Sequence, residues 1–161
     1  VSEGPDITIR VEPPDSPSAA RLLEALAAEK AERYPEGYDE DRAPDEPLEE
    51  LVPPEGAFLV AFLDGAPAGC GGVRRMGPEV GELKHLYVAP DARGHGLGRR
   101  LLEEMEAAAA RIGYRTVRLE TNPELGEALH MYEEAGYRET APYDDNPYAS
   151  RYLEKDLPDP D

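Results

Sequence analysis

Val88-Ala-Pro-Asp-Ala-Arg-Gly-His-Gly-Leu-Gly-Arg-Arg-Leu-Leu102 decides the reading of this chain. It joins the end of a strand to the start of an amphipathic helix through a turn crowded by Arg93, Gly94, Gly96 and Gly98. Glycines let backbone N–H groups approach a ligand with no side chain in between. The helix that follows adds its own unpaired N–H groups and the positive end of its dipole, so the turn is an anion site by construction. A polyphosphate is the natural guest.

Charge placement supports the same reading. The formal net charge is −18, which argues against nucleic acid and against an anionic membrane surface as partners. Between positions 74 and 100, however, six cations (Arg74, Arg75, Lys84, Arg93, Arg99, Arg100) face three anions (Glu79, Glu82, Asp91), a local balance of +3 that leaves −21 for the rest. A very acidic chain that keeps positive charge around one glycine turn is built to hold an anion there. The length of 161 residues fits one domain over 1–161, with 156–161 expected as a frayed tail. No apolar run reaches membrane-spanning length and the first thirty residues lack a signal pattern, so the expected location is cytoplasmic. Cys70 is the only cysteine, and Glu82, His85, His95 and His130 have no metal-ligand spacing, so no metal is expected.

Working outward from the turn, residues 82–88 read as a strand and 96–112 as a helix with a buried stripe of Leu97, Leu101, Met105, Ala108 and Ile112, stopped by Gly113. A strand over 116–120 follows at once, making a strand–helix–strand unit with a parallel pair. Asn122 caps the next helix, Pro123 sits in its first turn and Gly136 ends it. Upstream, 58–63 and 68–75 form a hairpin around Asp64-Gly65. Residues 7–11 alternate as a strand, and Ser16 or Ser18 caps a helix to about 33 whose inner face is Leu22, Leu23, Leu26 and Ala27. A Pro-rich acidic connection fills 34–55, with one short helical turn at 48–51, and strands over 137–140 and 148–154 close the chain. The fold class is mixed α/β: one domain with a central twisted mixed sheet flanked by helices.

The turn lacks the lysine of a P-loop, and it fails the Gly-x-Gly-x-x-Gly dinucleotide fingerprint because the sixth position is Arg99 or Leu101. It does fit Arg-x-x-Gly-x-Gly, as Arg93-Gly-His-Gly-Leu-Gly98, and here the chain resembles the GNAT superfamily of acetyl-CoA-dependent N-acetyltransferases. The preceding Glu82-Leu-Lys-His-Leu-Tyr-Val-Ala-Pro90 looks like the central strand of that family. Asn122-Pro-Glu-Leu-Gly-Glu-Ala-Leu-His-Met-Tyr-Glu-Glu-Ala-Gly-Tyr137 looks like its second helix. The resemblance covers nearly the whole chain and is tightest over 82–137. It implies a single GNAT-like domain and acetyl-CoA as acyl donor. The pyrophosphate would lie on the N–H groups of roughly Gly94 to Arg99, through His95, Gly96, Leu97 and Gly98, and the pantetheine arm on backbone groups near Leu86 and Val88 at a strand bulge, with Arg93, Tyr87 and the side chain of Asn122 also at the cofactor.

Acetyl transfer to an amine must remove a proton from the amine, stabilise an oxyanion and protonate the leaving thiolate. Glu82 stands where members of the family place a strand glutamate as general base. A carboxylate of pKa ~4.3 is a poor base for an ammonium unless burial or a water relay helps it. His85 is the alternative base, but strand alternation puts Glu82, Lys84 and Leu86 on one face and Leu83, His85 and Tyr87 on the other, so it joins Glu82 only if a bulge intervenes. The resemblance assigns the oxyanion to the N–H near Val88 and the general acid to Tyr132, whose phenol of pKa ~10 needs help to protonate a thiolate near 8.5. Cys70 reads as a small buried strand residue rather than a nucleophile.

The expected function is therefore acetyl transfer from acetyl-CoA to a primary amine of a small molecule by direct attack in a ternary complex. The acidic 34–55 segment lies where this family builds its acceptor site, and it reads first as a solvated loop of an acidic protein and second as a wall that would favour a cationic amine. The segment 142–148, with Tyr143, Asp144 and Asn146, is a second candidate wall. Two alternatives stay open: a CoA-binding regulator without turnover, and an acetyltransferase acting on a protein or peptide amine. A homodimer is compatible with all three.

Overall fold

The structure, a computed structural model, describes residues 6–33, 48–121, 128–143 and 151–158. One seven-stranded sheet organises them: β1 (Ile7–Val11), β2 (Ala57–Leu63), β3 (Ala66–Gly77), β4 (Val80–Val88), β5 (Thr116–Thr121), β6 (Arg138–Glu139) and β7 (Arg151–Asp156), in the spatial order β1-β2-β3-β4-β5-β7-β6. The β4–β5 pair is parallel and the other pairs are antiparallel. The parallel pair is joined by α2 (Leu97–Ile112), as the strand–helix–strand pattern requires. A helix α1 (Pro17–Arg33), two short 3-10 turns (Leu48–Leu51 and Pro90–Ala92) and α3 (Ala128–Glu134) complete the described elements.

The two faces of β2 explain why it is a continuous apolar run. Leu59 and Ala61 pack under α2, while Phe58, Val60 and Phe62 pack under α1 with Ala19 and Leu22. On the α2 side the helix lies almost against the backbone of β3, because Gly69 and Gly71 present no side chains. A Cβ on Gly69 would come within 2.9 Å of Leu101, and one on Gly71 would run into Met105. The stripe expected on α2 is the buried one, except that Ile112 is only partly buried while Leu102 and Ala109 join it. Ser16 is the α1 cap: its Oγ accepts the Ala19 N–H at 3.1 Å and donates to Glu12 Oε1 at 2.7 Å. Ala27, placed on the inner face by periodicity, is exposed. At the end of β7, Asp156 pairs with Thr116 and the Leu157 N–H donates to Arg115 O at 2.8 Å, while residues 159–161 lie outside the described residues.

One irregularity in β4 controls the site. Cys70 pairs with Tyr87 and Gly72 with Lys84, so His85 and Leu86 stand opposite Gly71 alone. This is a bulge, and His85 carries it at φ +59. The alternation expected for an unbroken strand is thereby reversed past His85. Leu83 still packs under α2, but Tyr87 packs under α1, and Leu86 and Val88 turn to the α2 side. Leu86 thus leaves the face of Glu82 and Lys84, a correction with a plain cause: one inserted residue exchanges the faces of everything after it. Ladder pairing between β4 and β5 covers Val80–Glu82 against Thr116–Arg118 and stops there, so the strands part beyond Glu82.

Candidate active site

The turn has the geometry its sequence demands. Gly94 lies at φ +91, and Gly96, the residue before α2, at φ +74 and ψ 16, in the left-handed region. No side chain caps this helix. Its first intrahelical bond runs from the Arg100 N–H to Gly96 O at 3.2 Å, so the N–H groups of Leu97, Gly98 and Arg99 precede the ladder. A groove of about 300 Å³ lies over them, between the strand end at Val88, the turn from Arg93 to Gly96, the first residues of α2, and Met131 of α3. A Cβ on Gly94 or Gly96 would meet nothing within 4 Å, and one on Gly98 would meet only Met131 Sδ at 3.6 Å and Val88 Cγ2 at 3.7 Å. The backbone is bare toward the groove, and an anion with several oxygens fits that cradle.

Of the residues singled out in the sequence, Val88, Arg93, Gly94, Gly96, Leu97, Gly98 and Arg99 come together around the groove. His95 is exposed on the turn, Leu86 is partly buried under α2, and Tyr87 is buried against α1, where burial and the nearby Glu29 raise its phenol above the ordinary value. Asn122, Asp144, Asn146 and the acidic stretch 34–47 lie outside the described residues. Met131 escaped sequence reading, since a methionine inside a helix carries no signal beyond ordinary packing. The expected pool of positive charge is also redistributed. Arg93 donates from Nε to Val88 O at 3.0 Å and pairs with Glu29 at 2.7 Å, which ties the turn both to β4 and to α1. Arg99 pairs with Glu134 at 3.3 Å. Arg74, Arg75 and Lys84 are engaged elsewhere, by Glu82 and Glu50, by Glu55, and by Glu82 and Glu120. Bare backbone, more than side-chain charge, therefore characterises the groove.

Glu82 is 1% exposed on the α1 face, at the point where β4 and β5 part. Its Oε1 accepts from Arg74 Nε at 2.7 Å, and its Oε2 is 3.5 Å from Lys84 Nζ. Farther along β4, the Ala89 N–H donates to Ala68 O at 2.8 Å. Antiparallel alternation then turns the N–H of Val88, paired with Gly69, away from β3 and toward the opening left by β5. His85 sits on the bulge itself. Tyr132 is 7% exposed in the α2-side core, edge-on to Tyr137 at 5.7 Å between ring centroids. Burial raises its phenol above the ordinary value. Glu82 thus lies on the α1 side of the sheet and Tyr132 in the core on the α2 side. Cys70 is fully buried and its thiol is pushed up to about 12 by burial, the state of an inert core residue. Among the described residues, no three of His, Cys, Asp and Glu gather as metal ligands, and no helix is long and apolar enough to cross a membrane.

Comparison with known proteins agrees with this geometry. The model of the acetyltransferase (GNAT) family matches residues 20–137. The IAA acetyltransferase of Azospirillum brasilense is 33% identical over 159 residues, which is 95% of this chain and 99% of that protein. Among solved structures, a GNAT acetyltransferase from Staphylococcus aureus superimposes with a TM-score of 0.79 at 21% identity, over 95% of this chain and 100% of the other. The PaiA N-acetyltransferase of Thermoplasma acidophilum, in complex with coenzyme A, does so with 0.68 at 20% identity, over 94% and 99%. A glycine turn bared to a groove, a strand that parts from its parallel neighbour and a family match over most of the chain lead to one conclusion: this chain belongs to the GNAT acetyltransferase family and is an N-acetyltransferase with acetyl-CoA as its acetyl donor.

Proposed function

We propose that the chain acetylates a primary amine of a cationic small molecule by direct attack within a ternary complex, with Glu82 as the base and Tyr132 as the proton donor. The observation that carries this reading is the placement of Glu82 at the parting of β4 and β5, with the bare turn at the far end of the same strand. The N–H groups of Gly94 through Arg99 would hold the pyrophosphate, and Val88 N–H would face the carbonyl oxygen. In the transfer, the nitrogen–carbon bond forms and the carbon–sulfur bond breaks. One proton leaves the ammonium for Glu82, directly or through a water, and one reaches the sulfur. A phenol raised by burial is a weak acid, so Tyr132 acts first as a hydrogen-bond donor to the departing sulfur, and the proton follows as charge builds there. A cationic acceptor suits a chain of net charge −18.

The test is turnover of Glu82→Gln against a panel of amines, with acetyl-CoA affinity measured by calorimetry. The expected result is a loss in kcat of about a hundredfold with affinity nearly unchanged. Wild-type turnover in this variant would remove Glu82 from the reaction. Better use of neutral than of cationic amines would overturn the acceptor class.

A further inference from the structure

Two residues past Glu82, Lys84 lies on the same face of β4 with its side chain only 8% exposed. Its Nζ is 3.5 Å from Glu82 Oε2 and 3.5 Å from Oε1 of Glu120 on β5, whose side chain is 9% exposed. This bridge spans the place where backbone pairing of β4 with β5 has already ended, so it duplicates no ladder bond. We propose that Lys84 is a positioning residue for acetyl transfer, clamping Glu82 and Glu120 across the parted strands and fixing the orientation of the Glu82 carboxylate. The proposal rests on Glu82 being the base.

Three arguments support it. Burying an ammonium is costly, and an apolar side chain of similar volume on a sheet face is commonly as stabilising as an ion pair, so fold stability alone gives no reason for a lysine here. The two oxygens of Glu82 are also divided between two cations: Arg74, from the neighbouring strand, takes Oε1 at 2.7 Å, and Lys84 addresses Oε2. Oε1 is hydrogen-bonded while Oε2 accepts no hydrogen bond and only faces the ammonium, so the charge orients the carboxylate yet leaves an Oε2 lone pair for the acceptor. Finally, Glu82 and Glu120 are like charges brought to one ammonium, and without it they repel. Neighbouring charged groups are engaged with one another: Glu50 pairs with Arg74 at 3.3 Å, and Arg118 pairs with Glu154 at 3.1 Å.

The experiment is a kinetic double-mutant cycle of Lys84→Met and Glu82→Gln, with acetyl-CoA affinity and melting temperature measured on each protein. Lys84→Met should lower kcat about tenfold and leave acetyl-CoA affinity within about twofold. In the Glu82→Gln background the same change should lower kcat by less than about twofold, because its effect runs through Glu82. Adding Glu120→Gln to Lys84→Met should recover part of the loss by removing the repulsion. Equal losses in both backgrounds, or no loss at all, overturn the positioning role. If Lys84→Met does not fold, Lys84→Arg, which keeps the charge and moves the donors, takes its place with the same expected dependence on Glu82. Wild-type turnover of Glu82→Gln alone would overturn the base assignment. A slow Glu82→Gln with additive Lys84 losses overturns only the role of Lys84.

Discussion

Replacing Gly96 by alanine separates what the turn does for the fold from what it does for the ligand. Gly96 sits at φ +74, and a Cβ there would meet nothing within 4 Å, so the only cost within the protein is conformational. The left-handed region costs an L-residue about 1–2 kcal/mol. For a domain of this size, each kcal/mol lowers the melting temperature by about 2–4 °C. Gly65, in the hairpin turn between β2 and β3, provides a matched control: its φ is +86 and a Cβ there also meets nothing. Gly65→Ala and Gly96→Ala should therefore melt at similar temperatures, both a few degrees below the wild type. They should differ in binding. The methyl group on Gly96 would occupy the open space over the turn and keep an anion from the N–H groups at the start of α2. A lost hydrogen bond to a charged group is worth about 1.5–3 kcal/mol. That predicts acetyl-CoA affinity roughly 10- to 100-fold weaker for Gly96→Ala and unchanged for Gly65→Ala, read by calorimetry well below both melting temperatures. Full affinity in Gly96→Ala, or an equal loss in Gly65→Ala, would refute the assignment of the turn as the phosphate cradle.

Tyr132→Phe should lower kcat at least about tenfold and leave acetyl-CoA affinity nearly unchanged, and an undiminished rate would remove Tyr132 from the reaction. Ser16→Ala removes the α1 cap and should cost about 1 kcal/mol, read as a melting temperature lower by a few degrees. The Ser16 hydroxyl is the main cause that holds the Glu12 carboxyl below its ordinary value, so this contribution is full above the ordinary carboxylate range and lost as pH falls through the lowered value. The gap between wild type and Ser16→Ala should accordingly narrow in acid, and a gap independent of pH would contradict the link. Burial raises the phenols of Tyr132 and Tyr137, and for Tyr137 the adjacent Glu106, which accepts its O–H at 2.8 Å, raises it further. Both favour the protonated form, so their contribution is whole below the ordinary tyrosine value of 10.0 and declines as pH rises above it. Melting temperature should fall beyond that pH, and an unchanged value one unit higher would contradict this.

The turn was legible in the sequence because its constraints are local. A glycine at each left-handed position, a helix stripe beginning at Leu97 and a stop at Gly113 are each set by neighbours in the chain. The hairpin around Asp64-Gly65 and the parallel pair across α2 were legible for the same reason. The destinations of the cations were not. Arg93 finds Glu29 across sixty-four positions, and Arg74 finds Glu50 across twenty-four, so a charge balance taken along the chain could not anticipate where the charge is neutralised. Met131 was illegible because lining a groove requires only apolar surface at the right place, and placement is a tertiary fact.

The bulge at His85 is the instructive case. The segment from Val80 to Val88 contains no proline, and its one glycine, Gly81, stands four residues before the bulge, so residue type does not place it at His85, and only the family resemblance implies a bulge near Leu86 and Val88. Period-two counting is right within each half of the strand, placing Glu82 with Lys84 before His85 and Leu86 with Val88 after it, and it fails only across the insertion. A non-glycine residue in that region costs of order 1–3 kcal/mol and persists only when the surroundings impose it. Here the strain falls past the last β4–β5 ladder pair, where β3 alone still pairs with β4. Its effect is functional in form. The bulge sends Tyr87 to pack under α1 and leaves the N–H of Val88 facing the opening, while Glu82 and Lys84 keep the other side of the same opening. An unbroken strand would put the groove-lining Val88 and the buried Glu82 on one face of the sheet.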